Sequence, residues 1–67
     1  MKAELTTDGV EIRVTVQEYQ MIRNGLRELI GSMPEQDFYP RVGQSLESVI
    51  DLVIMLGDEA ARLGVPD

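Results

Sequence analysis

The stretch VIDLVIML, Val49 to Leu56, decides the fold, because its eight residues carry a single charge, at Asp51. Such a run could be a membrane segment, a buried strand or part of a helix. A spanning helix needs about 20 apolar residues, whereas this run of eight residues has seven and is followed by Gly-Asp-Glu. The sequence therefore argues against a membrane segment.

The residues around this stretch favour a helix. The apolar pattern continues at helical spacing as far as Leu63, and DEAARL is a strong helix-forming run. Ser45 is a suitable N-cap, and Gly64 is a suitable residue to end the helix. We therefore predict a helix over residues 45–63.

The alternative for the same stretch is a β-strand, because Val and Ile favour pleated sheet. A strand would place Ile50, Leu52, Ile54 and Leu56 on one face. Gly57 is the weak point of the helical interpretation, since a glycine costs about 1 kcal/mol inside a helix and can break it. The sequence leaves open whether Gly57 interrupts the helix.

The apolar arc of this helix is wider than one small core requires. At 100° per residue the arc covers about 200°, whereas a helix on a single core needs a stripe of about 100° or slightly more. We expect the surplus to form an interface with a second copy of the chain or with another protein. The predicted interface residues are Val49, Leu52, Val53, Leu56, Ala60 and Leu63.

The N-terminal residues 1–16 predict a β-hairpin around Asp8-Gly9, a strong hairpin signal. A two-residue loop there places Leu5 opposite Ile12 and Glu4 opposite Arg13. Alternation then collects the apolar side chains on one face and the polar ones on the other. We expect the helices to pack on the apolar face, and the hairpins of two copies could also pair edge to edge.

A first helix is predicted over residues 16–31. Thr15 and Glu18 form a capping box, and apolar residues recur behind it at helical spacing up to Gly31, where we expect the helix to end. Residues 32–44 are predicted to be a link that holds a short helical turn. The expected fold class is α+β: a hairpin followed by two helices, ββαα, in one small domain of residues 1–67, with 64–67 as a tail.

Composition narrows the function classes. The 67 residues include no Cys and no His, which removes disulfides and the usual zinc ligands, so we expect no cofactor and no metal. Twelve acidic against six basic residues give a formal charge of −6, which disfavours nucleic acid and anionic membranes as partners and favours a basic protein. The absence of Cys fits a cytoplasmic protein.

Two charged groups are candidate contact sites. The helical wheel places Glu47, Asp51 and Asp58 in one acidic stripe, which would be either a solvated face or a docking site for a basic partner. Arg23, Arg27 and Arg41 could contact an anion, although such side chains more often cover apolar edges and pair with nearby acids. We find no nucleophile–base pair and predict no catalytic site.

The chain resembles a group of small uncharacterised bacterial proteins. The resemblance covers about half of the chain and rests on an Arg-Asn-x-Leu-x-Glu run, a Phe-x-x-Arg-x-Gly link and a Ser-capped helix. The matching residues are Arg23, Asn24, Leu26, Glu28, Phe38, Arg41, Gly43, Ser45 and Glu47. Gly25 stands where that pattern has Ala. The resemblance implies a helix–link–helix arrangement and no particular activity.

These observations predict a non-catalytic, acidic protein-interaction module of bacterial or phage type, acting as a homodimer. An immunity protein, antitoxin, inhibitor or regulatory subunit would fit this description. The alternatives are a purely structural protein that assembles only with itself and, less favoured, a small-ligand-binding protein or enzyme with a pocket at the dimer seam.

Overall fold

The computed structural model describes residues 1–66 and has the predicted α+β class, with an N-terminal antiparallel hairpin. Three helices follow the hairpin, so the prediction of two helices was wrong. In chain order the elements are β1 (Lys2–Leu5), β2 (Val10–Arg13), α1 (Val16–Ser32), α2 (Glu35–Val42) and α3 (Leu46–Leu63).

The hairpin has a different register from the one predicted. Leu5 lies opposite Val10, not Ile12, and Glu4 lies opposite Glu11, not Arg13. The turn explains the shift: the Thr6 N–H donates to the Gly9 carbonyl at 2.7 Å, so Thr7 and Asp8 are the central residues. The turn predicted at Asp8-Gly9 would need a positive φ at both of these residues. Neither of them has one, so that turn does not form. The register moves by two residues, which keeps each side chain on its predicted face.

Helix α1 begins at the predicted capping box. The Glu18 N–H donates to Thr15 Oγ1 at 3.0 Å, and the Thr15 N–H donates to Glu18 Oε1 at 2.9 Å. The helix does not end at Gly31 as predicted but runs through it to Ser32. Met33 is extended, as expected for a residue that precedes a proline. Pro34 is therefore the effective stop.

Helix α2 replaces most of the predicted link, which was expected to hold only a short turn. It has eight residues, with Pro34 at its N-cap and Gly43 at its end, where φ is 84°. A positive φ of this size favours glycine over any residue with a Cβ. Pro40 lowers the helix propensity of this segment. Phe38 projects from α2 and is fully buried, so tertiary packing stabilises the helix.

Helix α3 contains the stretch VIDLVIML, so the helical interpretation is confirmed and the strand alternative is wrong. Ser45 caps its start, accepting from the Ser48 N–H at 3.2 Å. Gly57 lies inside the helix without breaking it. At the end, Gly64 has a φ of 75°, and the Val65 N–H donates to the Ala60 carbonyl at 2.8 Å, which is a Schellman arrangement.

The core lies between the helices. α1 and α2 both pack on α3, and the buried apolar side chains are Phe38, Val49 and Ala60. Within residues 1–66 no Cα atom of either strand comes within 8 Å of a helical Cα atom. The prediction that the helices pack on the hairpin was therefore wrong: the hairpin projects from the helices and is exposed on both faces.

Candidate interaction surface

The exposed apolar residues of α3 do not form one face. At 100° per residue Ile50 and Ile54 share one flank, the outer face of α3, whereas Leu52 and Leu63 lie on the opposite flank, and the acidic stripe and Met55 lie between the two. Ile54 is 57% exposed and Leu63 is 60% exposed, so α3 covers its core with only part of its apolar arc. The wide stripe predicted from the wheel is thus divided between an inward and an outward set.

The six predicted interface residues fall into both sets. Val49 and Ala60 are buried within the subunit, so they belong to the core and not to a surface. Val53 and Leu56 are half-buried. Only Leu52 and Leu63 are exposed. The wheel defines the arc but not its inward direction, because that direction depends on where α1 and α2 pack.

A second apolar surface, the apolar face of the hairpin, was expected to be covered by the helices. It consists of Met1, Ala3, Leu5, Val10 and Ile12, which alternation places on one side. Leu5 is 87% exposed and Val10 is 64% exposed. Full burial of one such side chain is worth about 1.5–3 kcal/mol, so this face is a considerable unused source of stability.

The molecule as a whole exposes more surface than its size requires. Its accessible surface is 5390 Å², whereas a compact monomer of 7.5 kDa exposes about 4,250 Å². The radius of gyration of 13.1 Å is that of a compact domain of about 100 residues rather than 67. The excess of about 1,100 Å² exceeds the ~800 Å² that each partner contributes to a standard protein–protein interface.

The acidic stripe is on the surface. Glu47, Asp51 and Asp58 all lie on α3 and are exposed. On the wheel this stripe borders Ile54 at one edge of the outer face of α3. Within residues 1–66 there is no grouping of three or more acidic side chains placed to hold a metal ion. The stripe is therefore available as a charged border to an apolar surface.

The three arginines do not form one exposed set. Arg23 is only 5% exposed, with its guanidinium against α3. Arg27 and Arg41 are exposed, and Arg41 lies in the last turn of α2, where the helix dipole favours a cation. An anion site that uses all three side chains is thus not presented at the surface.

The contact between Arg23 and Gly57 is the feature of the helix pair that the sequence did not reveal. A Cβ atom built on Gly57 would lie 3.3 Å from Arg23 Nη2 and 3.8 Å from its Cζ. One turn away in α1, the Tyr19 hydroxyl donates to the Leu56 carbonyl at 2.5 Å. Glycine at position 57 thus leaves room for a buried guanidinium where α1 and α3 meet. The sequence signal for this contact was a glycine, Gly57, in the middle of a segment that otherwise strongly favours a helix.

Two surface carboxylates have local ionic partners. The Thr15 N–H, and after it the Met1 amino group 3.4 Å from Glu18 Oε2, lower the pKa of Glu18. At the other end of the chain Glu59 pairs with Arg62 three residues on and raises the pKa of that guanidinium. Both pairs are on the surface, where ion pairs contribute little to stability.

Two depressions are present on the described surface. One depression is lined by Glu35, Gln36, Tyr39, Ser45 and Leu46 and is open to solvent. A second lies on the polar side of the hairpin, between Lys2, Glu4, Glu11 and Arg13. The first depression contains the hydroxyl groups of Tyr39 and Ser45 together with the Glu35 carboxylate, and the Ser45 hydroxyl also caps α3. None of the three helices is both long enough and apolar enough to cross a membrane.

In comparisons with known proteins, no protein-family model, no curated protein and no solved structure matched the chain. The residues that carry the resemblance noted above have evident structural functions. Phe38 fills the core, Gly43 ends α2 and Ser45 caps α3. The surfaces themselves are therefore the basis for a functional proposal.

Proposed function

We propose that the protein is a non-catalytic interaction module that acts as a homodimer and docks on a basic protein partner. The observation that carries the proposal is the surplus of apolar surface. A 67-residue chain that exposes 5390 Å² and leaves two apolar faces uncovered is suited to association. Three buried apolar side chains form the core within residues 1–66, which is thin for a domain of this size.

The acidic stripe supplies the second contact. Once the apolar surface is covered by a second copy, Glu47, Asp51 and Asp58 remain as a charged border that attracts a basic surface. The net charge of −6 acts in the same direction. As part of the same proposal we place the protein in the cytoplasm, since a chain without cysteine needs no oxidising compartment. Immunity proteins, antitoxins and regulatory subunits are the kinds of module that work in this way.

Two variants test the dimer contact and the acidic stripe separately. Ile54→Lys puts a charge on the outer face of α3 and should convert the dimer to a monomer in light scattering after gel filtration. The triple variant Glu47→Lys, Asp51→Lys, Asp58→Lys changes only the stripe. It should remain dimeric and lose a partner that the unaltered protein retains from an extract of its own cells. Retention of that partner by the triple variant would contradict acidic docking.

The alternative of a purely structural protein is favoured by one feature of the hairpin. Both strands of a two-stranded sheet are edge strands, and exposed edges can pair with further copies. Such a protein would form assemblies larger than a dimer and retain no other protein. Light scattering on the same samples distinguishes this alternative by mass.

A further inference from the structure

The polar face of the hairpin pairs like charges across its two strands. Lys2 lies opposite Arg13, and Glu4 lies opposite Glu11. Like charges directly opposite each other destabilise a sheet. Among the described residues none of these four side chains has an ion-pair partner. One end of this face is therefore basic and the other acidic, an arrangement that favours a partner with the opposite order of charges.

Strand β2 has an unpaired backbone edge beside these charges, because the sheet has only two strands. The hydrogen bond from the Thr6 N–H to the Gly9 carbonyl defines the ladder. Alternation from that bond directs the backbone groups of Glu11 toward β1 and those of Val10 and Ile12 outward. Within residues 1–66 no helical Cα atom lies within 8 Å of β2. Unpaired groups on such an edge are a template for another strand.

We propose that β2 pairs with β2 of a second copy, antiparallel and about a two-fold axis at Ile12, to form a four-stranded sheet. Glu11 of each copy then lies opposite Arg13 of the other, and Ile12 lies opposite its counterpart. This inference rests on the proposed homodimer and adds a backbone contact to the apolar burial argued there. Because both copies contribute the same strand, the contact closes at two chains.

Charge selects this register from its neighbours. The outward-facing residues of one strand must lie opposite those of the other, so the register shifts in steps that preserve this pairing. One shift places Glu11 opposite Glu11 of the second copy, and the opposite shift places Arg13 opposite Arg13. Of these three registers only the one centred on Ile12 pairs opposite charges, which stabilises a sheet. It also places the basic pair of each hairpin beside the acidic pair of the other.

Strand β1 is less suited to the same contact. An equivalent pairing about Ala3 would also bring opposite charges together, but its central apolar pair would be two alanines. The Met1 amino group lies 3.4 Å from Glu18 Oε2, so the first turn of α1 lies beside that end of β1. Strand β2 instead has Ile12 at its centre, a β-branched residue that favours sheet and packs well across strands. The joined sheet has four strands, whereas a lone hairpin is marginal in water.

Complementary charge reversals test the pairing without opposing the hairpin. Glu11→Arg leaves two basic residues on β2, and Arg13→Glu leaves two acidic ones. Each reversal also replaces a like-charge pair inside the hairpin by an opposite-charge pair, with Glu4 or with Lys2. The proposed pairing predicts that each variant alone dimerises about tenfold more weakly than the unaltered protein. An equal mixture of the two should recover the dimer, since each variant supplies the charges that the other lacks.

Net charge alone predicts a different result. Glu11→Arg reduces the formal charge from −6 to −4, which would favour self-association through weaker repulsion between copies. The matched control pair is Glu4→Arg and Lys2→Glu, the same reversals on β1. Each control should dimerise as the unaltered protein does, measured for all samples by sedimentation velocity. Unweakened dimers of either β2 variant would overturn the proposal, and so would weakened β1 variants whose dimer is recovered on mixing.

The mass of the unaltered protein separates failure of this inference from failure of the proposed function. A dimeric unaltered protein whose β2 variants are equally dimeric removes only the pairing of the strand edges. A monomeric mass for the unaltered protein removes the homodimer itself, and the edge pairing with it.

Discussion

At the scale of single residues, the packing of α1 on α3 depends on a small residue, Gly57, that lies opposite a large one, Arg23. Gly57 lies in α3 where the guanidinium of Arg23 is buried against it. Glycine in a helix costs up to about 1 kcal/mol relative to alanine. Gly57 therefore lowers the helix propensity of α3 but leaves space for the guanidinium of Arg23. Gly25 in α1 has no such reason, because a Cβ there would meet no atom within 4 Å.

This difference predicts unequal gains in stability from the same substitution at the two positions. Gly25→Ala should stabilise the protein by about 0.5–1 kcal/mol, since it gains helix propensity and meets open space. Gly57→Ala should gain clearly less, because its new methyl group crowds Arg23. Urea unfolding of both variants at one protein concentration measures the difference. Equal stabilisation by the two substitutions would show that Arg23 does not constrain position 57.

The capping box predicts a dependence of stability on pH. The pKa of Glu18 is held below its ordinary value of 4.5, chiefly by the Thr15 N–H. A carboxylate with a depressed folded pKa contributes stability above pH 4.5, and the contribution is lost as the pH falls through the lower folded pKa. Glu18→Gln, which keeps an acceptor but no charge, should therefore be less stable than the unaltered protein at pH 7, and the difference should shrink as the pH is lowered below 4.5. A constant difference across that range of pH would contradict the assignment.

At the scale of elements, the sequence predicts what local chemistry determines. The capping box at Thr15, the Ser45 cap and the Gly64 stop all lie where residue types alone placed them. The hairpin was predicted, but its register was not. Asp8-Gly9 was interpreted as the centre of the turn, whereas the Thr6 side chain and backbone close the turn one residue earlier.

Helix α2 was predicted only as a short helical turn, because its stability comes from packing and not from propensity. Two prolines, Pro34 and Pro40, delimit or interrupt a segment of eight residues, and isolated helices of that length are unstable in water. Phe38 supplies what the local sequence lacks, because it is fully buried in the core where α2 packs on α3. The candidate surface was predicted only in part for a related reason, since the inward direction of α3 depends on α1 and α2.

The role of Phe38 is testable by comparison with its neighbour. Phe38→Ala should cost about 3–5 kcal/mol, the usual price of an emptied aromatic site in a core, and in so small a domain should leave little folded protein. Tyr39→Ala, at a side chain that is 70% exposed, should change stability by less than about 1 kcal/mol. Circular dichroism and urea unfolding of both variants measure the contrast. Similar losses at the two positions would mean that α2 is not anchored through Phe38.

At the scale of the whole molecule, the chain is flat and extended for its length, at 32 × 30 × 17 Å. The helices form a thin core, and the hairpin extends from them, linked to α1 by the Met1–Glu18 contact. Two apolar faces point outward as a result. A lone subunit would keep both in water, and a second copy can cover both.

This account is tested most directly by the mass of the unaltered protein in sedimentation equilibrium across a range of concentrations. The prediction is a dimer of two 7.5 kDa chains, with dissociation only on dilution. A mass of one chain at every concentration would contradict the central claim that the exposed apolar surface is covered by a second copy.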